Sequence, residues 1–408
     1  MKNEQSPYLH VLELACPALP VVRIGLVGAG HRGLKALRRY ADIEGAVFNA
    51  VADLDPARLD EANQQLRTTG RPEADLMPGE EAWRMLCRRD DVDLVYVCTE
   101  WDSHVDIATE AMERGKHVAV EVPAATSVDD CWRLVDTAER TRRHCFILEN
   151  CCFDPFALQT LALVRRGRLG DITHCEGAYI HNLRDTFGLT DSPVGIRRAW
   201  MERRCALHGG NPYPTHGLGP AALLTNLHRG DRLDHLVSMT TSGHGSDGLI
   251  GKVNTTLLRT AKGVGILLQL DLTTPRPYSR LQTVCGTDGF VQKYPQPTVE
   301  LLDMDEALTD TAALDFMAQW RIDGVSELID EGHRRGTENV MNFTMDARLI
   351  YCLRHGLPLD LDVYDAAEWS CIAELSELSA REGSRPVAIP DFTRGRWNVI
   401  HGHRFATA

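Results

Sequence analysis

No window of about 18 consecutive apolar residues occurs in the chain, so no segment reads as a membrane span. The opening, Met1 to Pro20, lacks both a basic segment with a long apolar core and a twin-arginine pair. No export signal is predicted, and a cytoplasmic protein is expected. Repeats, low-complexity tracts and flexible linkers are also missing. The twelve cysteines never adopt the paired spacing of a metal finger. Cys151 and Cys152 are adjacent and the others scattered, which predicts free thiols rather than disulfides, and no metal. Positive charge is in deficit: 44 Lys and Arg against 57 Asp and Glu leave a net −13. That balance disfavours nucleic acid or an anionic membrane as the main partner.

What remains is a soluble globular composition, 43% apolar and 25% charged. At 408 residues the chain is too long for one ordinary domain. An α/β reading divides it into an N-terminal extension (1–20), a nucleotide-binding Rossmann-type domain (21–150) and an α+β substrate domain (151–408).

The nucleotide-binding reading starts at Val21–Val27, a buried-strand pattern that runs into Gly28-Ala29-Gly30-His31-Arg32-Gly33 and then a helical stretch, Leu34 to Tyr40. Between a strand and a helix, G-x-G-x-x-G has a physical meaning. The first two glycines permit a tight turn and close approach of a pyrophosphate, and the third lets helix pack on strand. Helix-terminal N–H groups then face the phosphates. A second strand, Ala46 to Val51, leads to Asp53, twenty residues past Gly33. A carboxylate there accepts both ribose hydroxyls and repels a 2′-phosphate, so NAD is expected over NADP. Further strands at 92–99, 117–122 and 145–149 alternate with helices at 104–114 and up to Arg143, the latter capped by Ser127 or Asp129. That alternation predicts a parallel sheet with its ligand at the C-terminal strand ends. Thr99, Trp101, His104, Glu121 and Asn150 lie at or just past those ends and join Gly28, Gly30, His31, Arg32, Gly33 and Asp53 as candidate cofactor contacts.

The second half predicts a helix at 158–166 and strands at 172–180, 235–239, 253–258, 264–272 and 279–285, a mostly antiparallel sheet. One face of it would cover the cofactor and the other serve self-association into a homo-oligomer. Helices are expected at 326–331, 342–355 and 364–378, and an irregular tail at 384–398. Within this half, Gly209 to Pro220 is crowded with Gly and Pro and carries Tyr213 and His216 three residues apart. If Thr215 begins a helix, both rings sit near its positive end. They either exchange protons with a substrate or simply fill a turn.

The glycine turn, Cys98-Thr99-Glu100-Trp101-Asp102-Ser103-His104, Gly115-Lys116-His117-Val118 and Glu121-Val122-Pro123 resemble the Gfo/Idh/MocA oxidoreductase superfamily. Dehydrogenases of that superfamily usually carry Glu-Lys-Pro, whose lysine assists hydride transfer; Val122 stands in its place here. The segments 177–184, 213–220, 275–280, 356–365 and 390–395 narrow the resemblance to the NAD-dependent glycosidases of glycoside hydrolase family 109, which include α-N-acetylgalactosaminidases. That resemblance implies a cycle without net redox. The C3 hydrogen of the sugar leaves as hydride to NAD⁺, the ketone acidifies C2–H, the aglycone is eliminated from C1, water adds and the hydride returns. It also implies Tyr213 and His216 as the catalytic pair, and Tyr179, His181, Arg184, Arg276 and Tyr278 as substrate contacts, with a small glycoside as partner.

The sequence departs from the family in places. A His-Gly-Gly-Met-Asp segment is replaced by Glu338-Asn339-Val340-Met341-Asn342, with His333 upstream as a substitute histidine. Basic pairs at 197–198 and 203–204 suit a solvated face or an anionic aglycone. The alternatives are a sugar or cyclitol dehydrogenase, opposed by Val122, and a nucleotide-bound sensor with a degenerate site.

Overall fold

The computed structural model describes residues 10–190, 198–246 and 248–408. Its first layer is a six-stranded parallel sheet: β1 (Val22–Val27), β2 (Ala46–Asp53), β3 (Asp75–Pro78), β4 (Leu94–Val97), β5 (His117–Val120) and β6 (Cys145–Ile147), in the order β3-β2-β1-β4-β5-β6. The helices between them are α1 (His31–Arg39), α2 (Pro56–Thr68), α3 (Ala82–Cys87), α4 (His104–Glu113) and α5 (Val128–Thr141). β4 and β5 are buried at every residue. This is the expected signature of strands covered by helices on both faces. The strand order reverses beside β1, so a crevice opens at the carboxyl ends of β1 and β4. Ser127, rather than Asp129, caps α5, its hydroxyl accepting from the Asp130 N–H. Elements α2, β3 and α3 fall in a stretch for which the sequence analysis predicted nothing.

After α6 (Pro155–Arg165) the chain builds a nine-stranded sheet. Its strands are β7 (Ile172–Ile180), β8 (Leu233–Thr240), β9 (Val253–Thr260), β10 (Gly265–Asp271), β11 (Ser279–Gly286), β12 (Gly289–Gln292), β13 (Thr298–Leu301), β14 (Leu308–Thr309) and β15 (Val387–Ala388). The order is β14-β13-β12-β11-β7-β10-β9-β8-β15, antiparallel except for β7 against β10. Between β7 and β8 the chain forms α7 (Arg184–Phe187), α8 (Ala199–Leu207) and α9 (Thr215–Leu224). The later helices are α10 (Asp310–Met317), α11 (Ser326–Arg335), α12 (Val340–His355) and α13 (Val363–Arg381). The expected tail is not wholly irregular, because β15 within it extends the sheet beside β8. The short strands β12, β13 and β14 and helix α10 were also unanticipated.

Burial alternates along β9, where Asn254, Thr256, Leu258 and Thr260 face inward and Leu257 and Arg259 outward. The helices therefore cover one face of this sheet. Helix α13 carries a capping box, in which the Asp362 and Asp365 carboxylates close on each other's backbone N–H groups. It packs against both α5 and β8, locking the two sheets together. The twelve cysteines are free and nine are buried. Among the described residues no helix is long and apolar enough to cross a membrane.

Candidate active site

At the crevice β1 enters the turn at Gly28, whose φ is +93°. A Cβ there would lie 2.8 Å from the Cys98 carbonyl, and one at Gly33 would lie 2.1 Å from the Gly28 oxygen, so both positions need glycine for close packing. Around Gly30 a Cβ would meet only the tip of Arg58. Gly30 also leads into α1 without a side-chain cap, so the first-turn N–H groups face an open cradle. At the end of β2 the Asp53 carboxylate is braced, one oxygen accepting from Ala29 N at 2.6 Å and the other from Asp55 N at 2.9 Å. An anion-binding helix entrance beside a fixed carboxylate fits a dinucleotide with a free ribose diol.

His31 opens α1, and burial together with Lys35, Arg198 and Arg32 holds its ring below the ordinary imidazole range. Arg32 pairs with Glu121 at 2.7 Å across the crevice. Thr99 is held by the Ser103 hydroxyl at 2.7 Å. Two of the expected cofactor contacts are engaged within the protein. His104 is fully buried with its ring nitrogens against the Pro123 and Thr99 carbonyls, at 2.9 and 3.0 Å, so it braces two loops. Asn150 is likewise engaged within the protein, its amide donating to Asn342 Oδ1 at 2.9 Å and accepting from the Cys151 thiol at 3.5 Å.

Across the crevice, α9 starts at Thr215 and, against the expectation that Gly and Pro would bar a regular helix here, runs on through Gly217, Gly219 and Pro220. Two glycines set its depth: a Cβ on Gly177 of β7 would fall 2.2 Å from the Gly217 oxygen. With neither side chain present, α9 lies directly on the strand. His216 is thereby carried to Tyr179, with ring centroids 5.1 Å apart, and to Tyr213 at 4.8 Å. The approach to Tyr213 is pinned from α13: Asn211 N donates to Ser376 Oγ at 2.8 Å, and Asn211 Oδ1 accepts from Tyr213 N at 3.1 Å.

The imidazole of His216 is polarised by a residue the sequence analysis did not select. Both Glu149 oxygens meet His216 Nδ1, at 2.8 and 2.9 Å, and the Glu149 side chain is wholly buried. Nε2 faces the Tyr213 hydroxyl at 3.4 Å. Burial opposes a charge on the ring, but Cys151 and the Glu149 carboxylate outweigh it and push the His216 pKa up to about 10. Burial also works against ionised Glu149, yet the facing imidazolium holds its pKa below the usual carboxylate range. Tyr213 moves the other way: burial, then Tyr179, Glu121 and Glu149, raise its phenol well above normal, with Arg32 opposing. The resting site is an imidazolium–carboxylate pair beside a neutral phenol.

An aromatic wall extends outward from this pair. Trp101 sits 5.7 Å from Tyr213 and edge-on to Trp200 of α8 at 5.0 Å. Tyr179 is 4.8 Å from Tyr213, and its hydroxyl meets His181 Nδ1 at 2.9 Å. The half-exposed Tyr278 lies 5.3 Å from His181 and 6.4 Å from Tyr179. The structure thus gathers Tyr213, His216, Tyr179, His181 and Tyr278. It does not gather Arg276, whose guanidinium is held by Gln269 at 2.7 Å and Asp271 at 3.4 Å. Those two residues project from β10 to the face opposite Tyr179. Arg184 donates from Nε to the Thr273 carbonyl at 2.6 Å. His333 is exposed on α11 and replaces nothing in the site. Glu338 pairs with Lys35 at 2.7 Å on the surface, Asn339 caps α12 and Asn342 holds Asn150. Arg204 pairs with Asp102, and Arg203 is exposed; Arg197 lies outside the described residues.

Fold and cradle together define a protein with a dinucleotide-binding Rossmann sheet and a second, mostly antiparallel sheet. Comparison with known proteins agrees: residues 22–148 match the oxidoreductase family, NAD-binding Rossmann fold. Among solved structures, an NAD-binding oxidoreductase from Klebsiella pneumoniae superposes with a TM-score of 0.71 at 18% identity, covering 91% of this chain and 100% of that one. A levoglucosan dehydrogenase in complex with NADH and L-sorbose gives 0.69 at 17%, covering 91% and 99%. Residues 155–399 match the glycosyl hydrolase 109 C-terminal domain. The glycosyl hydrolase family 109 protein 2 of Phocaeicola vulgatus is 53% identical over 95% of this chain and 98% of its own length. An alpha-N-acetylgalactosaminidase of Bacteroides fragilis is 50% identical over 96% of each. The chain belongs to glycosyl hydrolase family 109, and its first domain is an NAD-binding Rossmann domain.

Proposed function

We propose that the protein hydrolyses α-N-acetylgalactosaminides or closely related hexosides, with residues 21–150 holding NAD and residues 151–408 the sugar. One observation carries this reading. His216 has Nδ1 committed to buried Glu149 and only Nε2 facing Tyr213 and the crevice. The Gly28–Gly33 turn and Asp53 would hold the dinucleotide, which supplies a hydride acceptor at C3 and a donor on return. The chain's own residues handle the protons. His216 exchanges its proton at Nε2 alone, because a second proton position would break the Glu149 contact. Tyr213, with its raised pKa, stays protonated and donates a hydrogen bond to a sugar oxygen or, once His216 has given up its proton, to Nε2. Buried Val122, where a dehydrogenase lysine would stand, leaves this pair as the proton carriers. Tyr179 and Tyr278 offer ring faces to the sugar, and Trp101 and Trp200 exclude water from its other side.

The test is turnover of an aryl α-N-acetylgalactosaminide in D₂O without added cofactor, followed by NMR. Phenol release with deuterium at C2 is expected. Phenol release without exchange at C2 would exclude oxidation–elimination. NADH accumulation would instead identify a dehydrogenase.

The outer face of the second sheet supports self-association. Val237, Leu257 and Leu267 sit side by side across β8, β9 and β10, with Leu257 and Met239 exposed at 53% and 65%. A contiguous apolar strip of this kind marks a protein contact. Leu257→Glu is expected to halve the mass seen by light scattering, and an unchanged mass refutes this interface. A cytoplasmic location is our reading of the twelve free thiols, and fractionation of cells tests it.

A further inference from the structure

At the entry ends of β5 and β6, opposite the end that carries Glu149, three ligand-type side chains converge. Cys16 comes from the N-terminal extension, His117 begins β5 and His144 directly precedes β6. One donor atom from each lies within 4.8 Å of the other two. The imidazole rings are 4.9 Å apart. His144 is 6% exposed, and its Nε2 has no hydrogen-bond partner among the described residues. Leaving such a nitrogen dry and unpaired is costly.

We infer that Cys16, His117 and His144 form a binding site for a thiophilic divalent cation of the zinc type. His117 Nδ1 accepts the His144 N–H at 3.2 Å, a long contact that a cation at Nδ1 would displace. The Cys16 thiol, 3.7 Å from the Arg142 carbonyl, loses its proton to solvent as its sulfur bonds the metal. No electron changes hands. The thiolate offsets the repulsion between the cation and the Arg143 guanidinium. One thiolate and two imidazoles form a set that zinc accepts, with a fourth position open to water.

The consequence is a clasp. The extension that carries Cys16 already buries Val11, Leu12 and Leu14 in the core, and isolated hydrogen bonds such as Val11 N to Tyr364 Oη at 3.0 Å and Leu19 N to the Leu353 carbonyl at 3.1 Å tie its backbone to the rest. A metal shared by Cys16 and the two histidines would fasten it across the entry ends of the sheet.

The experiment titrates chelator-treated full-length protein with Zn²⁺ against a chromogenic chelator, and separately with Co²⁺ to read thiolate-to-cobalt absorption. One equivalent should bind with a thiolate band, and protease cleavage of the extension should slow. Cys16→Ser and His144→Gln should each weaken binding by more than the about tenfold that loss of an outer partner costs. Glycoside turnover should be unaffected by the first equivalent, which separates this site from the Glu149, Cys151 and His216 cluster. A cobalt complex without a thiolate band in the unaltered chain overturns the proposal without relying on any variant's folding. So does a Cys16→Ser protein that binds zinc as tightly as the unaltered chain.

Discussion

Glu149 places both carboxylate oxygens on one nitrogen of His216, at 2.8 and 2.9 Å, across 67 residues of sequence. The pair fixes the ring's orientation and confines its proton chemistry to Nε2. Replacing the carboxylate with an amide keeps the shape and removes the charge, so Glu149→Gln should lower the His216 pKa from about 10 toward the ordinary imidazole value. The kcat should fall by roughly a hundredfold or more, in the range of a lost general acid–base contribution, with KM little changed. Titration of the His216 ring by NMR and the pH dependence of kcat read the two effects separately. An unchanged ring pKa would show that the carboxylate is not what holds the proton.

The same pair makes stability depend on pH. The His216 pKa is raised on folding, so its contribution is complete below 6.5 and disappears as pH climbs toward about 10. That of Glu149 is lowered, so its contribution is present above 4.5 and lost as pH falls through its depressed folded value. The melting temperature of the unaltered protein should therefore drop more steeply than that of Glu149→Gln as the pH rises above 6.5. Parallel melting curves across that range would contradict the charge pairing.

Close contact between α9 and β7 is what delivers His216. Gly177→Ala would push a methyl group to 2.2 Å from the Gly217 carbonyl, and backbone on both sides leaves no flexible atom to yield. Overpacking of this kind costs on the order of 1–3 kcal/mol. Because the displaced helix carries His216, kcat should fall further than the lowered melting temperature alone explains. A variant that melts early but keeps full kcat at low temperature would refute the link.

How far these features were legible from the residues depended on range. The β1–Gly28–α1 unit and β7 are local patterns, and β7 has the predicted bounds, Ile172–Ile180. Tyr213 and His216 stood out because Gly and Pro around them forbid a regular element before Thr215. Glu149 did not: it reads only as the last residue of the strand at 145–149, and only α9, folding back, reveals its partner. A signal was available, since an acid closing an otherwise buried strand needs compensation. Arg276 could not be placed because sequence gives the segment but not the face of β10 to which its side chain turns. His104 shows a related limit: position near a strand end does not say whether a ring points out of the crevice or beneath it. The short strands β12, β13 and β14 lack the length for periodicity to show, and they depend on β11 to form.

Lys252 performs a second long-range function. Its ammonium donates to the carbonyls of Cys205, Ala206 and His208, at 2.8, 3.2 and 2.7 Å, closing the C-terminal end of α8. A cation there also meets the negative pole of the helix. This helix holds Trp200 against Trp101, so its looseness would open the aromatic wall. Lys252→Met keeps most of the side-chain volume and removes the cap, with an expected cost of about 1.5–3 kcal/mol for charge-assisted hydrogen bonds. Trp fluorescence should report greater solvent exposure, and KM should rise more than kcat falls. If quenching of Trp fluorescence is unchanged, α8 is held instead by its own buried face, which carries Met201 and Cys205.

Asp53 is expected to decide which dinucleotide stays. Its carboxylate is held by the Ala29 and Asp55 N–H groups, so it cannot swing away from an incoming ribose without giving up both. Repulsion of a 2′-phosphate is therefore fixed by the backbone rather than by a mobile side chain. Asp53→Asn removes the repelling charge and turns one acceptor into a donor. The protein purified from cells should then carry less NAD. The ratio of its affinities for NAD and NADP should fall at least about tenfold, the equivalent of 1.4 kcal/mol. Measuring bound dinucleotide by mass and both dissociation constants by calorimetry separates lost retention from altered choice. A variant that retains NAD and still rejects NADP would mean that the turn, and not the carboxylate, selects the cofactor.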